Sequence, residues 1–313
     1  MVEKIILAKP RGFCAGVEYA VGIVEKSLLE FDLPIYILKE IVHNRKIVQD
    51  LSERGAKSVK SIEEVPKGSV LIFSAHGVPP EFYTLAKEKG LSVIDATCPL
   101  VRKVHLEAIR FVKNGYTILY IGHKGHDEAV GVIAEAPNSI ILINDKTEAL
   151  SVQPPQTDKL AYLTQTTLSL KETAEIINIL ENRFPSIIGP EKEDICYATT
   201  NRQMAVSELA KVSDLVLVLG SENSSNSQRL RECAKEFNID AYLIDGKEQI
   251  DNKWFEKENI KTIGITAGAS APERLVKEVV SHFQQKYPKV EITELETIKE
   301  KTFFPIPNLK QKI

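Results

Sequence analysis

The chain lacks any apolar run approaching the roughly 20 residues that a membrane-spanning helix requires. It has no CxxC pair, which excludes a zinc ribbon or a thioredoxin-type redox motif. It has neither GxGxxG nor a Walker sequence, so neither a dinucleotide fold nor a nucleotide-phosphate loop is indicated. No helix-turn-helix pattern and no basic stripe occurs, and the formal net charge is −3, which gives no reason to expect nucleic acid or an anionic membrane as partner. The segment Met1-Val-Glu-Lys-Ile-Ile-Leu-Ala runs straight into a strand pattern without a signal-peptide layout, so the expected location is the cytoplasm.

What remains is an ordinary globular composition. Apolar residues make up 43% and charged residues 27% of 313 residues, enough for about two or three domains of roughly 100–200 residues each. Four cysteines, Cys14, Cys98, Cys196 and Cys233, are too few and too scattered for a disulfide framework. Their spacing alone leaves two readings open: buried, inert thiols, or ligands that the fold brings together.

The setting of three of them repeats: each follows a short strand-like or extended stretch and opens a helix. Ile5-Ile-Leu-Ala precedes Cys14, and a helix is expected from Ala15 to Glu30. Ser92-Val-Ile-Asp-Ala-Thr precedes Cys98, and Pro99 takes the first helical position. Asp194-Ile precedes Cys196, and Thr200-Asn-Arg-Gln203 reads as a capping box. A thiolate at a helix start gains from the positive end of the dipole, which favours metal ligation. From Cys14 to His43 is 29 residues, from Cys98 to His126 is 28, and from Cys196 to Asn226 is 30, each at or just past the end of an apolar strand. A second strand per repeat also ends in polar residues, at His76, at Thr166 and at Ser270. Further helices are expected near 44–56, 80–89, 99–114, 170–182, 227–237 and 272–286, giving the alternation of a parallel α/β fold. Ligands of such sheets bind outside the carboxyl ends of the strands, where these polar clusters lie. Cys233, mid-helix in Arg231-Glu-Cys-Ala-Lys, falls outside the pattern and reads as structural.

Nine segments carry a resemblance. Pro10-Arg-Gly-Phe-Cys-Ala-Gly-Val17, Glu40-Ile-Val-His-Asn-Arg45, Phe73-Ser-Ala-His-Gly-Val78, Asp95-Ala-Thr-Cys-Pro-Leu-Val101 and Gly122-His-Lys-Gly-His126 are joined by four more. Those are Thr164-Gln-Thr-Thr167, Asp194-Ile-Cys-Tyr-Ala-Thr-Thr-Asn-Arg-Gln203, Ser221-Glu-Asn-Ser-Ser-Asn-Ser227 and Thr266-Ala-Gly-Ala-Ser-Ala-Pro272. In this order they resemble the 4-hydroxy-3-methylbut-2-enyl diphosphate reductases, the LytB-type iron–sulfur family, over about residues 4–280. The resemblance implies a trefoil of three similar α/β units with pseudo-threefold symmetry around a [4Fe–4S] cluster. Cys14, Cys98 and Cys196 would bind three irons, and one iron would lack a protein ligand. The expected units are 14–97, 98–195 and 196–285, with strand 1–13 and tail 286–313 packing on them.

The implied reaction is reductive removal of the allylic hydroxyl from the diphosphate substrate, the last step of the non-mevalonate isoprenoid pathway. A thiolate set that leaves one iron open suits Lewis-acid activation of a substrate oxygen as well as electron transfer. His43, His76, His126, Ser224, Ser225, Asn226 and Ser270 are the expected substrate-binding residues. Imidazole, hydroxyl and amide groups all donate to phosphate oxygens. Ser270 also begins Ser270-Ala-Pro-Glu273, which reads as a capping box. Glu128 is expected to deliver a proton, with a pKa raised by its surroundings, and Thr166 to hold the substrate hydroxyl, with Gln165 and Thr167 as supports. His105, His123 and His282 have weaker claims. Gly12 and Gly16 give the cysteine loop room, and Lys299-Glu-Lys301 reads as a solvated face. Ferredoxin or flavodoxin is the expected electron donor. A non-catalytic iron–sulfur sensor would carry a nucleic-acid-binding element, and a zinc hydrolase would draw at least two ligands from one short motif. The sequence offers neither.

Overall fold

The computed structural model describes residues 2–255 and 260–311. Met1 and the last two residues of the expected tail lie outside that range. In chain order the elements begin with β1 (Lys4–Lys9) and α1 (Ala15–Glu30). Then come β2 (Ile35–Leu38), α2 (Arg45–Glu53), β3 (Ala56–Val59), β4 (Val70–Phe73), α3 (Glu81–Glu88) and β5 (Ser92–Asp95). The middle third holds α4 (Pro99–Lys113), β6 (Thr117–Ile121), α5 (Asp127–Ala134), β7 (Ile140–Ile143), α6 (Lys146–Ser151), β8 (Leu160–Thr164) and α7 (Leu170–Arg183). The last third holds α8 (Tyr197–Ala210), β9 (Leu215–Leu219), α9 (Ser225–Lys235), β10 (Asp240–Ile244), β11 (Thr262–Ala267), α10 (Glu273–Lys286) and β12 (Glu291–Glu296).

The strands form three wholly parallel sheets, ordered β3-β2-β4-β5, β7-β6-β8 and β10-β9-β11-β1-β12. Buried on both faces, parallel strands read as unbroken apolar runs. That is the composition of Leu215-Val-Leu-Val-Leu and Thr117-Ile-Leu-Tyr-Ile, in which every residue is buried. Each such side chain is worth roughly 1.5–3 kcal/mol when taken from water. All three sheets share one plan. β2, β6 and β9 each lie between the next strand in sequence on one side and the one after it on the other. This is a topological switch point, and it opens a crevice at the carboxyl ends of β2 and β4, of β6 and β8, and of β9 and β11.

The chain divides into two compact units. One comprises the N-terminal segment to Val17, His43–Gln49 and Tyr197–Phe303, and holds the five-stranded sheet. Its core lies on both faces: Ile5, Leu217, Ile263, Ile265 and Phe283 on one, Ala205, Leu209, Val216, Val218 and Leu230 on the other. The other unit comprises Glu18–Val42, Asp50–Cys196 and the segment from Phe304, and holds the other two sheets. Leu71, Phe73 and Ala86 lie in the core beside β4, while Val104, Ile118, Tyr120 and Leu163 cover one face of β6 and β8, and Leu119, Ile121 and Leu180 the other.

Three local expectations are corrected. Thr200 caps nothing, because α8 starts at Tyr197 and runs through it. Ser270 is not an N-cap either: α10 begins at Glu273 behind Pro272, and the Ser270 hydroxyl donates to the His43 carbonyl at 2.9 Å. Asp194 and Ile195 form a bend rather than a strand. The extended contact ahead of Cys196 is the parallel bridge between Ala161 and Ile188, beside β8. No helix among the described residues is long and apolar enough to cross a membrane.

Candidate functional site

In the two-sheet unit, Cys98 and Cys196 each sit directly before a helix, α4 and α8, and both are half-buried. The Cys98 amide donates to the Ala75 carbonyl at 3.0 Å, immediately before His76. The Cys196 amide donates to the Thr166 carbonyl at 3.1 Å. Acidic residues shape both approaches. Asp95 accepts from the Thr97 amide at 2.9 Å. Asp194 accepts from the Thr164 amide at 3.0 Å and from Lys103 Nζ at 2.9 Å, and burial pushes its carboxyl up to about 6.

Glu128 lies in the first turn of α5 and is 1% exposed. Its carboxylate is held by one residue: the Thr166 amide donates to Oε1 at 2.7 Å and the Thr166 hydroxyl to Oε2 at 3.0 Å. Burial pushes its pKa up to about 8, although both bonds from Thr166 favour the charged form. His126 caps α5, its Nδ1 accepting the Glu128 amide at 3.2 Å. That bond puts a lone pair on Nδ1, so a neutral ring carries its proton on Nε2 and donates from there. The His76 ring meets His126 edge to face with centroids 6.0 Å apart, and Lys39 pairs with Asp127 beside them. The supports are tied in turn: Gln165 Nε2 donates to the Thr167 hydroxyl at 3.0 Å, and Gln165 Oε1 accepts the His123 amide at 3.0 Å. Gly77 has φ +77, and a Cβ on it would lie 2.8 Å from His105 Nε2. His105 is buried and paired with Glu135 at 2.7 Å. It is a packing residue beneath the His76 turn.

In the five-stranded unit, the Cys14 amide donates to the Ala269 carbonyl at 3.3 Å, immediately before Ser270. Ser224 caps α9, accepting the Ser227 amide at 3.3 Å, and Ser225 opens the helix half-buried. By position, Ser224 rather than Asn226 therefore corresponds to His126. Asn226 is inside the first turn, where its Oδ1 accepts the Ala269 amide at 2.8 Å. Its Nδ2 is buried and has no partner among the described residues. An unmet amide donor at a helix N-terminus is suited to an anionic oxygen. His43 is half-buried, and its carbonyl is fixed by Ser270.

The cysteine anchoring is one device used three times. β4, β8 and β11 end at Phe73, Thr164 and Ala267, and two residues beyond each end a carbonyl receives a cysteine amide. Every such cysteine opens a helix. Three half-exposed soft thiols at helix starts fit the ligand needs of an iron–sulfur cluster. Cys233 does not share this setting. It lies within α9, packed on the core, with its Sγ 3.8 Å from Gln203 Oε1.

Sequence reasoning missed Arg202 and Glu300. Arg202 is fully buried; its Nε and Nη2 donate to the Gly12 carbonyl at 3.0 and 2.8 Å, and its Nη1 to Glu300 Oε1 at 3.0 Å. Lys299-Glu-Lys301 is thus not uniformly a solvated face: the lysines are exposed and Glu300 turns inward. Arg202 lies in the same motif as Cys196, which was the available signal; nothing local marks its partner in the tail.

A model of the LytB protein family matches residues 5–284. A 4-hydroxy-3-methylbut-2-enyl diphosphate reductase of Nitrosomonas europaea is 48% identical over 312 residues, covering 97% of this chain and 96% of the relative. One from Haemophilus influenzae (strain PittEE) is 50% identical over 307 residues, covering 97% of both. The solved E-1-hydroxy-2-methyl-but-2-enyl-4-diphosphate reductase from Plasmodium falciparum superposes with a TM-score of 0.94 at 36% identity, over 98% of this chain and 96% of that one. Matched along most of its length at the level of sequence and of fold, the chain belongs to the LytB protein family.

Proposed function

We propose that this chain is a cytoplasmic enzyme that converts 4-hydroxy-3-methylbut-2-enyl diphosphate to isopentenyl and dimethylallyl diphosphate. The C–O bond to the allylic hydroxyl breaks, two electrons and two protons enter, and water leaves. Units 14–97, 98–195 and 196–285 would surround one centre, bringing Cys14, Cys98 and Cys196 to a single [4Fe–4S] cluster. When bound, that cluster would pass the two electrons one at a time and offer an iron without a protein ligand. A separate ferredoxin or flavodoxin would supply the electrons.

The observation that carries this reading is the double role of Thr166. Its side chain and amide hold Glu128, and its carbonyl holds the amide of Cys196. A buried acid is thereby tied through one residue to a candidate ligand. At neutral pH Glu128 keeps its proton. With Glu128 protonated, the Thr166 hydroxyl can accept from it and turn its own proton outward to the substrate hydroxyl. The departing oxygen would be protonated along this relay, and the second proton would be added at either end of the allylic system, giving two products. His43, His76, His126, Ser224, Ser225, Asn226 and Ser270 would hold the diphosphate. The Nε2–H of His126 and the unpaired Asn226 Nδ2 are suited to its oxygens.

His43→Ala or His126→Ala is expected to weaken substrate binding by roughly 1.5–3 kcal/mol, the worth of a charge-assisted contact. An anaerobic titration with substrate, set beside steady-state rates, measures this. Reduced turnover with unchanged affinity at both positions contradicts the binding assignment.

A further inference from the structure

The Cys14 loop lies between the end of β1 and the start of α1 and has no regular structure of its own. Gly12 turns it with φ +69, a conformation that a side chain would strain, and a Cβ there would lie 3.1 Å from the Ala271 carbonyl. Carbonyls in such a loop have no ladder partners, so something outside must satisfy them. Arg202 does so on one side of Cys14: besides the Gly12 carbonyl, its Nη2 reaches the Phe13 carbonyl at 3.2 Å. On the other side Tyr197 satisfies an amide instead, its hydroxyl oxygen accepting the Ala15 N–H at 3.3 Å. Both sit on α8.

The tail completes this arrangement. Glu300 accepts from Arg202 Nη1 and from Asn201 Nδ2 at 3.0 and 3.1 Å, and the Thr302 side chain hydrogen-bonds the Tyr197 hydroxyl. A fully buried guanidinium is costly unless paired, and an apolar side chain would fill the same volume with less penalty. An arginine here has the distinct ability to grip two successive carbonyls with one rigid fork. We propose that Tyr197, Arg202 and Glu300 form a clamp that positions Cys14 as a cluster ligand, so that α8 and the C-terminal tail act as the outer support of that ligand. This rests on the cluster reading above. All three act through the backbone of the Cys14 loop and are positioning residues.

The test is the rate at which anaerobically prepared protein surrenders iron to a chelator, compared among wild type, Tyr197→Phe and Glu300→Gln. Loss of an outer support of a metal ligand commonly costs 10–100-fold in metal affinity, so release about 10-fold faster is expected from each variant. Tyr197→Phe keeps the ring and its packing, so its thermal unfolding midpoint should stay at the wild-type value. A purely structural role predicts the reverse, a lower midpoint with unchanged release. Should one variant fail to fold, the other still reads out the clamp. Iron held by wild type and released at the same rate by the folded variants overturns the clamp alone. Wild type that takes up no iron on anaerobic reconstitution overturns the cluster reading and the clamp with it.

Discussion

Glu128→Gln is expected to slow turnover by about 10²–10⁴-fold while substrate still binds, the usual contribution of a positioned general acid. Glutamine nearly matches glutamate in shape, and the Thr166 hydroxyl can turn to accept from its amide, but it has no proton to give. The pH dependence follows from the raised pKa. Burial lifts the carboxyl from 4.5 to about 8, so the protonated form, the one that can donate, persists through neutrality. The rate of the chemical step should stay flat at lower pH and fall as pH rises through about 8, and the Glu128→Gln variant should lose that fall. Stability should move in the same sense. The folded state keeps a proton that the unfolded chain releases above about 4.5, so wild type loses stability relative to the variant as pH climbs from there to about 8. Single-turnover rates across this range, with an anaerobic substrate titration, decide the matter. A variant turning over like wild type removes Glu128 from the mechanism.

Cys14→Ser, Cys98→Ser and Cys196→Ser are each expected to abolish reductase activity and lower iron content, while Cys233→Ser does neither. A serine hydroxyl stays protonated where a thiolate would bind iron. The fold should survive, because each loop is anchored through the cysteine backbone amide, to Ala269, Ala75 and Thr166, which the substitution leaves in place. Cys233 lies mid-helix against the core, where serine alters packing but not the site. Iron and sulfide analysis of the four variants, prepared anaerobically and checked by circular dichroism, is the measurement. Full iron and activity in any of the first three contradicts its assignment as a ligand.

Much of this was legible along the chain because periodicity and punctuation agree. β2, β4, β6, β8, β9 and β11 are apolar runs closed by polar residues, and three of the four cysteines stand where helices begin. Edge strands were harder to read. β3 is Ala-Lys-Ser-Val, with two exposed residues, and β12 has only exposed and half-buried positions. Neither carries the unbroken apolar signature of a strand covered on both faces. α6 escaped notice because six residues show too little period, and α5 because Ala129, Val130, Val132 and Ile133 make a nearly unbroken apolar run rather than a helical stripe. The Thr200 pattern misled because a capping box is only local, whereas the start of α8 is set by the turn through Asp194 and the amide bond of Cys196. The candidate site residues were visible as polar strand ends. Their supports were not: Arg202 stands in the Cys196 motif with no role marked on it, and its partner Glu300 lies 98 positions away. A pairing so distant in sequence leaves no trace in spacing.

The most direct test of the whole account is a product assay on the purified wild-type protein. It would be kept anaerobic, supplied with 4-hydroxy-3-methylbut-2-enyl diphosphate and a strong one-electron reductant, and followed by mass spectrometry. The account predicts isopentenyl and dimethylallyl diphosphate together, in an amount that tracks the iron content of the sample. Recovery of unchanged substrate from iron-replete, reduced protein would contradict it.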